Sequence, residues 1–174
     1  MNHLRSPLNA ALVAVVLVAP HLGSAQTILP NPSNDEVRAP RPARARGIPT
    51  ALAIEAAQAA NASCLGSGYK TTTVMIDSEG IPIVVVSDDG AAAITQRIAM
   101  GKAMIALKTK AASADGAKAD AALMAPLGVA RPGGFPIMAG ADVVGAIAVS
   151  GSPTGQADEV CAKAALSKIQ GRVK

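Results

Sequence analysis

The stretch Gly133–Gly151, GGFPIMAGADVVGAIAVSG, constrains this chain more than any other. It reads as two short apolar strands, Phe135–Met138 and Val143–Val149, joined by Ala139-Gly140-Ala141-Asp142, where Gly140 supplies the positive φ that a tight reversal needs. Val143, Val144, Ile147 and Val149 are β-branched, whereas Gly145, Ala146 and Ala148 are small enough for a helix or another subunit to lie close against the sheet. The hairpin belongs in the interior, and the other elements must cover it.

Residues 1–25 combine Arg5, an apolar run from Ala10 to Ala19 and the small-residue ending Gly23-Ser24-Ala25. That is the layout of a secretory signal peptide, with a run too short to be a permanent membrane span. The alternative, a buried N-terminal helix, has Pro20 and the lack of an amphipathic stripe against it. The mature chain is expected to begin at Gln26, to be secreted or periplasmic, and to have no stable membrane anchor. Both histidines, His3 and His21, fall in the removed segment. Ser-His-Asp and Cys-His catalysis, and histidine-dependent metal or haem sites, are thereby excluded for the mature chain.

Residues 26–49 hold five prolines (Pro30, Pro32, Pro40, Pro42, Pro49) and Arg38, Arg41, Arg44 and Arg46. Such a stretch cannot bury enough apolar surface to order itself, and it reads as an extended tail, either a solubilising spacer or a contact for an anionic surface. Residues 51–174 carry eleven Lys/Arg against ten Asp/Glu, so the basic balance of the chain comes largely from the tail. No nucleic-acid partner is expected.

The region from residue 50 is long enough for one domain with one core. Thr50–Leu65 is an alanine-rich helical pattern, with Thr50 placed to cap it and Gly66 and Gly68 to end it. Thr71–Ile76 and Ile81–Ser87 read as strands around the turn Asp77-Ser78-Glu79-Gly80. Ala91 to about Ala112 is the longest helical pattern, with Asp88 or Asp89 near its N-terminus; Ser113–Pro132 reads as a short helix and a loop. The last helix runs from Pro153 to about Gln170, with Asp158 and Glu159 early and Lys168 and Arg172 late, as the macrodipole favours. The order predicts an α/β fold, helices flanking an antiparallel sheet of four or five strands.

VMIDSEGIPIVVVSDDG, the helix carrying Arg97 and Lys102, GGFPIMAGADVVGAIAVSG and the trailing ADEVCAKAAL together resemble the family of small GlcG/HbpS-type domains, also found at the C-terminus of PduO-type proteins. The resemblance spans residues 50–172 and is most specific at Asp77-x-x-Gly80, Gly133-Gly134-x-Pro136 and Val144-Gly145-Ala146-Ile147 through Ser150-Gly151. It implies a profilin-like fold, homo-oligomeric assembly, haem binding in several members and export in the HbpS branch. It also places the helices bearing Cys64 and Cys161 side by side, where export would permit a disulfide and two buried thiols are the other reading. The chain departs from a Lys-Ala-x-Thr-Ala pattern frequent in family helices, since Lys102-Ala103-Met104-Ile105-Ala106 puts isoleucine where the threonine would be.

Candidate site residues follow from what chemistry remains. Met100 and Met104 lie one helical turn apart; a thioether is a known haem-iron ligand, and two methionines also fill a flexible core. Lys102 can pair with a haem propionate or substrate carboxylate, or carry its ammonium to solvent. Arg131, ahead of Pro132-Gly133-Gly134, can join backbone amides in holding an anion, or be an ordinary loop arginine. Only Phe135 and Tyr69 can stack on a porphyrin, and Tyr69 is also a candidate iron ligand or a half-buried anchor. Asp77 and Glu159 would serve as acid and base only if close together.

The expected arrangement is a haem site between the long helix and the Arg131–Phe135 loop, walled by Ile98 and Ile105, with Met100 or Met104 toward the iron and Lys102 and Arg131 toward the propionates. Three classes of function stand: an exported, non-catalytic haem or tetrapyrrole binder; an enzyme on a small anionic metabolite; and an accessory oligomer without a ligand. Self-association is expected because 50% hydrophobic residues with almost no aromatics exceeds what one small core needs.

Overall fold

In a computed structural model of the chain, the structure describes residues 45–119 and 131–174. The leader-like segment 1–25, nearly all of the 26–49 tail and the loop around Pro126 and Gly128 lie outside the described residues. The elements run α1 (Thr50–Gly66), β1 (Thr72–Asp77), β2 (Pro82–Ser87), α2 (Ile94–Thr109), α3 (Ser113–Ala119), β3 (Gly134–Ala139), β4 (Asp142–Ser150) and α4 (Gly155–Ile169).

The strands form one antiparallel sheet in the order β2-β1-β4-β3, so the first strand of one hairpin joins the second strand of the other, β1 against β4. The 133–151 hairpin is present as expected, with Gly140 at φ 61 in its turn. β1 is buried on both faces because both are covered. On one face Met75, Ile137, Ile147 and Val149 pack with Ala53, Ala56, Ala57 and Ala60 of α1 and Ala162 and Ala165 of α4. Alanine at these positions lets the two helices approach each other and the sheet. On the other face Val74, Ile76, Ala146 and Ala148 meet Ala99, Ala103 and Ala106 of α2. A bulge opposite Ile137/Met138 turns Val144 toward the α1 and α4 side, out of the alternation of its neighbours. Among the described residues no helix is long and apolar enough to cross a membrane.

Several local expectations are corrected. α1 starts after Pro49 without a side-chain cap, so Thr50 is the first helical residue rather than the cap. α4 is capped by Thr154, whose hydroxyl accepts from Ala157 N at 3.2 Å. α2 stops at Lys110, which takes a left-handed conformation (φ 54), two residues short of Ala112. Asp88 does not serve the start of α2: its carboxylate accepts from Thr71 N (2.8 Å) and from Asn61 Nδ2 (3.1 Å), and so stitches α1 to the β1–β2 hairpin. Cys64 and Cys161 form a disulfide across α1 and α4, and Glu55 of α1 receives Arg172, just beyond the end of α4, through both carboxylate oxygens (2.9 and 2.8 Å).

Candidate functional site

Lys102 occupies a place that the sequence did not disclose. Its side chain is 1% exposed, and Nζ donates to Asp158 Oδ2 at 2.6 Å and to Val149 O at 2.9 Å. Asp158 in turn accepts from Ser152 N at 2.9 Å through Oδ1. The pair joins α2, β4 and α4 behind the Gly133-Gly134 loop. Burial pushes the Lys102 pKa below the ordinary lysine value; the hydrogen bond and charge of Asp158 oppose that, and the Arg131 guanidinium lowers it a little further. Lys102 is therefore a buried ion-pair partner and does not present its ammonium to a ligand.

This pair explains the two glycines. Gly133 has φ 117, and a Cβ there would lie 2.8 Å from Asp158 Cβ and 3.0 Å from Lys102 Nζ. At Gly134 a Cβ would lie 2.6 Å from the Lys102 carbonyl oxygen. The loop is glycine because α2 and the ion pair fill the space beside it, not because it leaves a cradle for an anion. Its backbone is already engaged: Ser113 Oγ donates to Arg131 O (2.7 Å) and accepts from Gly134 N (3.0 Å). Arg131 itself is exposed at the loop.

The expected site residues do not converge. Lys102, Gly133 and Gly134 touch one another as described. Met100 and Met104 lie on the other flank of α2, half-buried against the Val74, Ile76, Ala146, Ala148 core. Met104 packs over the β1–β2 turn at Gly80. Phe135 belongs to the opposite face of the sheet, where Lys163 of α4 stands 5.5 Å from its ring centroid. Tyr69 packs against that same core. Ile105 is fully buried and Ile98 partly so. Asp77 closes the β1–β2 turn by accepting from Glu79 N and Ile81 N, both at 2.9 Å, while Glu159 pairs with Lys163 at 2.6 Å in a helix that starts from the far end of the sheet. Those two carboxylates do not form an acid–base couple.

What sequence reasoning missed is a groove between edge strand β3 and the C-terminal half of α4. Its volume is about 450 Å³; Pro136, Ile137, Leu166, Ile169 and Val173 give it apolar walls, Ser167 and Gln170 polar ones, and Lys163 lines it as well. The Lys163 side chain is 60% exposed and Met138, 44% exposed, lines the strand edge, so the groove offers partly apolar walls and one cation, with Met138 at its margin. A second hollow of about 520 Å³ beside Gly47, Pro49 and Ile83 carries the Asp77 carboxylate and, among the described residues, no cation in its lining. A third of about 300 Å³ lies along Ala93, Gln96, Arg97 and Met100. Among the described residues no cluster of three His, Cys, Asp or Glu side chains is placed to hold a metal ion, and both cysteines are bonded.

The groove can be tested for haem on these residues. A macrocycle would lie on the apolar part of the walls and a propionate would suit Lys163; among the described residues lining the groove, the thioether of Met138 at its margin is the one iron ligand on offer, and a weak one. The fit is that of a tetrapyrrole held chiefly by its plane and its carboxylates.

Comparison with solved structures finds the same architecture. An HbpS double mutant from Streptomyces reticuli is 26% identical over 77% of this chain and 94% of its own, with a TM-score of 0.67. Klebsiella pneumoniae ORFY (20% identity, 76% of this chain, 97% of its own, TM-score 0.66) and PduOC in a haem complex (18%, 71%, 96%, 0.65) share the fold. No curated protein matches the chain. The family model described as haem degrading protein HbpS-like matches residues 48–167, and by that match the chain belongs to the HbpS-like family.

Proposed function

We propose that this is an exported haem- or tetrapyrrole-binding protein that self-associates and holds its ligand without turning it over. The observation that carries the reading is the β3–α4 groove, a partly apolar slot lined by Lys163, in a chain of the HbpS-like family. The haem seen with the PduOC neighbour supports the ligand class. The leader-like residues 1–25 and the Cys64–Cys161 bond, which an oxidising compartment sustains, support export. Bound haem would bring a redox-active iron; the protein's own residues would supply the slot, a charge for one propionate and a soft ligand.

Lys163 would exchange Glu159 for the propionate, and Met138 would face the macrocycle from the strand. Holding without turnover is supported by the donor set, since the described residues carry no imidazole and no free thiol to activate a bound group. The metabolite-enzyme reading finds no comparable support, because Lys102 is enclosed and Asp77 is spent on a turn. The test is an absorbance titration with hemin. A saturable Soret shift that Met138→Ala and Lys163→Ala weaken, and that Met100→Ala with Met104→Ala leaves in place, supports the groove. No saturable shift removes the ligand and leaves an accessory oligomer.

A further inference from the structure

The two faces of the sheet are unequally covered. Four strands at about 4.8 Å spacing make a sheet about 19 Å wide, which needs two helices of about 10 Å to cover a face. α1 and α4 meet that need on one side, where α1 packs on β1 and β2 and α4 on β4 and β3. On the other side α2 packs on β1, β4 and β3, and the short α3 sits by β3. Among the described residues no helix packs closely on β2 there. Val85, which pairs with Val74 and so shares the α2 face, is 38% exposed; Ile81 at the β1–β2 turn and Ile94 at the start of α2 are 60% and 44% exposed. The adjoining flank of α2 continues the apolar surface through half-buried Met100, Met104 and Leu107.

We infer that this shelf is filled by α2 of a second copy, the two helices lying antiparallel across a two-fold axis. The inference rests on the self-association proposed above and locates it. The charges select this occupant. Arg97 shares the flank with Met100 and Met104, at positions i, i+3 and i+7, and lies before the midpoint of the 16-residue helix. Glu79 belongs to the turn that packs on Met104 and Leu107, so it lies about as far beyond that midpoint. A two-fold axis through the middle of α2 therefore carries each Arg97 to the partner's Glu79, and the contact is made twice. Both residues are exposed, and neither has an ion-pair partner among the described residues. Each copy would bring the second helix that the other's sheet face lacks.

A charge exchange tests the pairing on the full chain at about 10 µM by sedimentation equilibrium, with circular dichroism and hemin titration as controls. Arg97→Glu and Glu79→Arg should each weaken self-association at least tenfold, and the double exchange should restore it to within about threefold. Far-UV signal and ligand binding in the groove should persist in all three. Singles that associate like the parent, or a double that stays as weak as the singles, overturn this interface while leaving self-association standing. A monomeric parent overturns both.

Discussion

Replacing Lys102 by methionine should be among the most damaging single changes in the domain. The side chains of Lys102 and Asp158 are 1% and 4% exposed, so Lys102→Met leaves a carboxylate in the interior with Ser152 N as its one remaining donor, and leaves Val149 O without its Nζ partner. Breaking a buried pair on one side costs about 3–5 kcal/mol. That is a large share of the roughly 5–15 kcal/mol that stabilises a typical domain. With a urea slope near 2 kcal/mol/M, the unfolding midpoint should fall by about 2 M. Asp158→Asn keeps an acceptor for Ser152 N and should be milder, because the buried amine can shed its proton. The double variant Lys102→Met, Asp158→Asn should lie well short of the sum, with a coupling of about 2 kcal/mol. Urea unfolding of the oxidised protein, followed by circular dichroism at neutral pH, measures all four corners of the cycle. A Lys102→Met cost below about 1 kcal/mol, or strict additivity, would refute the pair as the tie between the two layers.

Further outcomes are expected. The Cys64–Cys161 bond closes a separation of 97 residues, so Cys64→Ser with Cys161→Ser should lose about 4–5 kcal/mol in the chain-entropy estimate, and denatured, unreduced protein should show no free thiol by titration. Gly134→Ala drives a methyl into the Lys102 carbonyl and should cost about 1–3 kcal/mol in the same urea assay, with a normal midpoint counting against the close approach. The lowered Lys102 pKa means that, between its folded value and the ordinary lysine value of 10.5, the unfolded chain binds more protons than the folded one. Stability contributed by this group should therefore rise with pH across that window, and the rise should vanish in Lys102→Met.

Much of the fold could be read from local pattern. The β-branched and glycine-marked hairpin, the Asp77-to-Gly80 turn and the alanine-rich helices each announce themselves within a few residues, and their order leaves little choice of architecture. The site was less legible. One part was available and overlooked: residues 100 and 102 stand about 200° apart around a helix, so Met100 and Lys102 cannot face one ligand. The other part was not available. Asp158 sits in the first turn of α4, where a carboxylate already has a local reason to be, and only the folded chain brings it 56 residues back to Lys102. Likewise Met138 and Lys163 belong to different elements, and nothing in either segment signals that strand and helix diverge there to leave a groove.

An amide shift map with a diamagnetic metalloporphyrin, gallium protoporphyrin added to the isotope-labelled protein, tests the ligand site most directly. The groove proposal predicts saturable shifts clustered at residues 136–138 and 163–173, with Lys163 and Met138 among the largest. Shifts clustered at residues 93–104, or none that saturate, would contradict it.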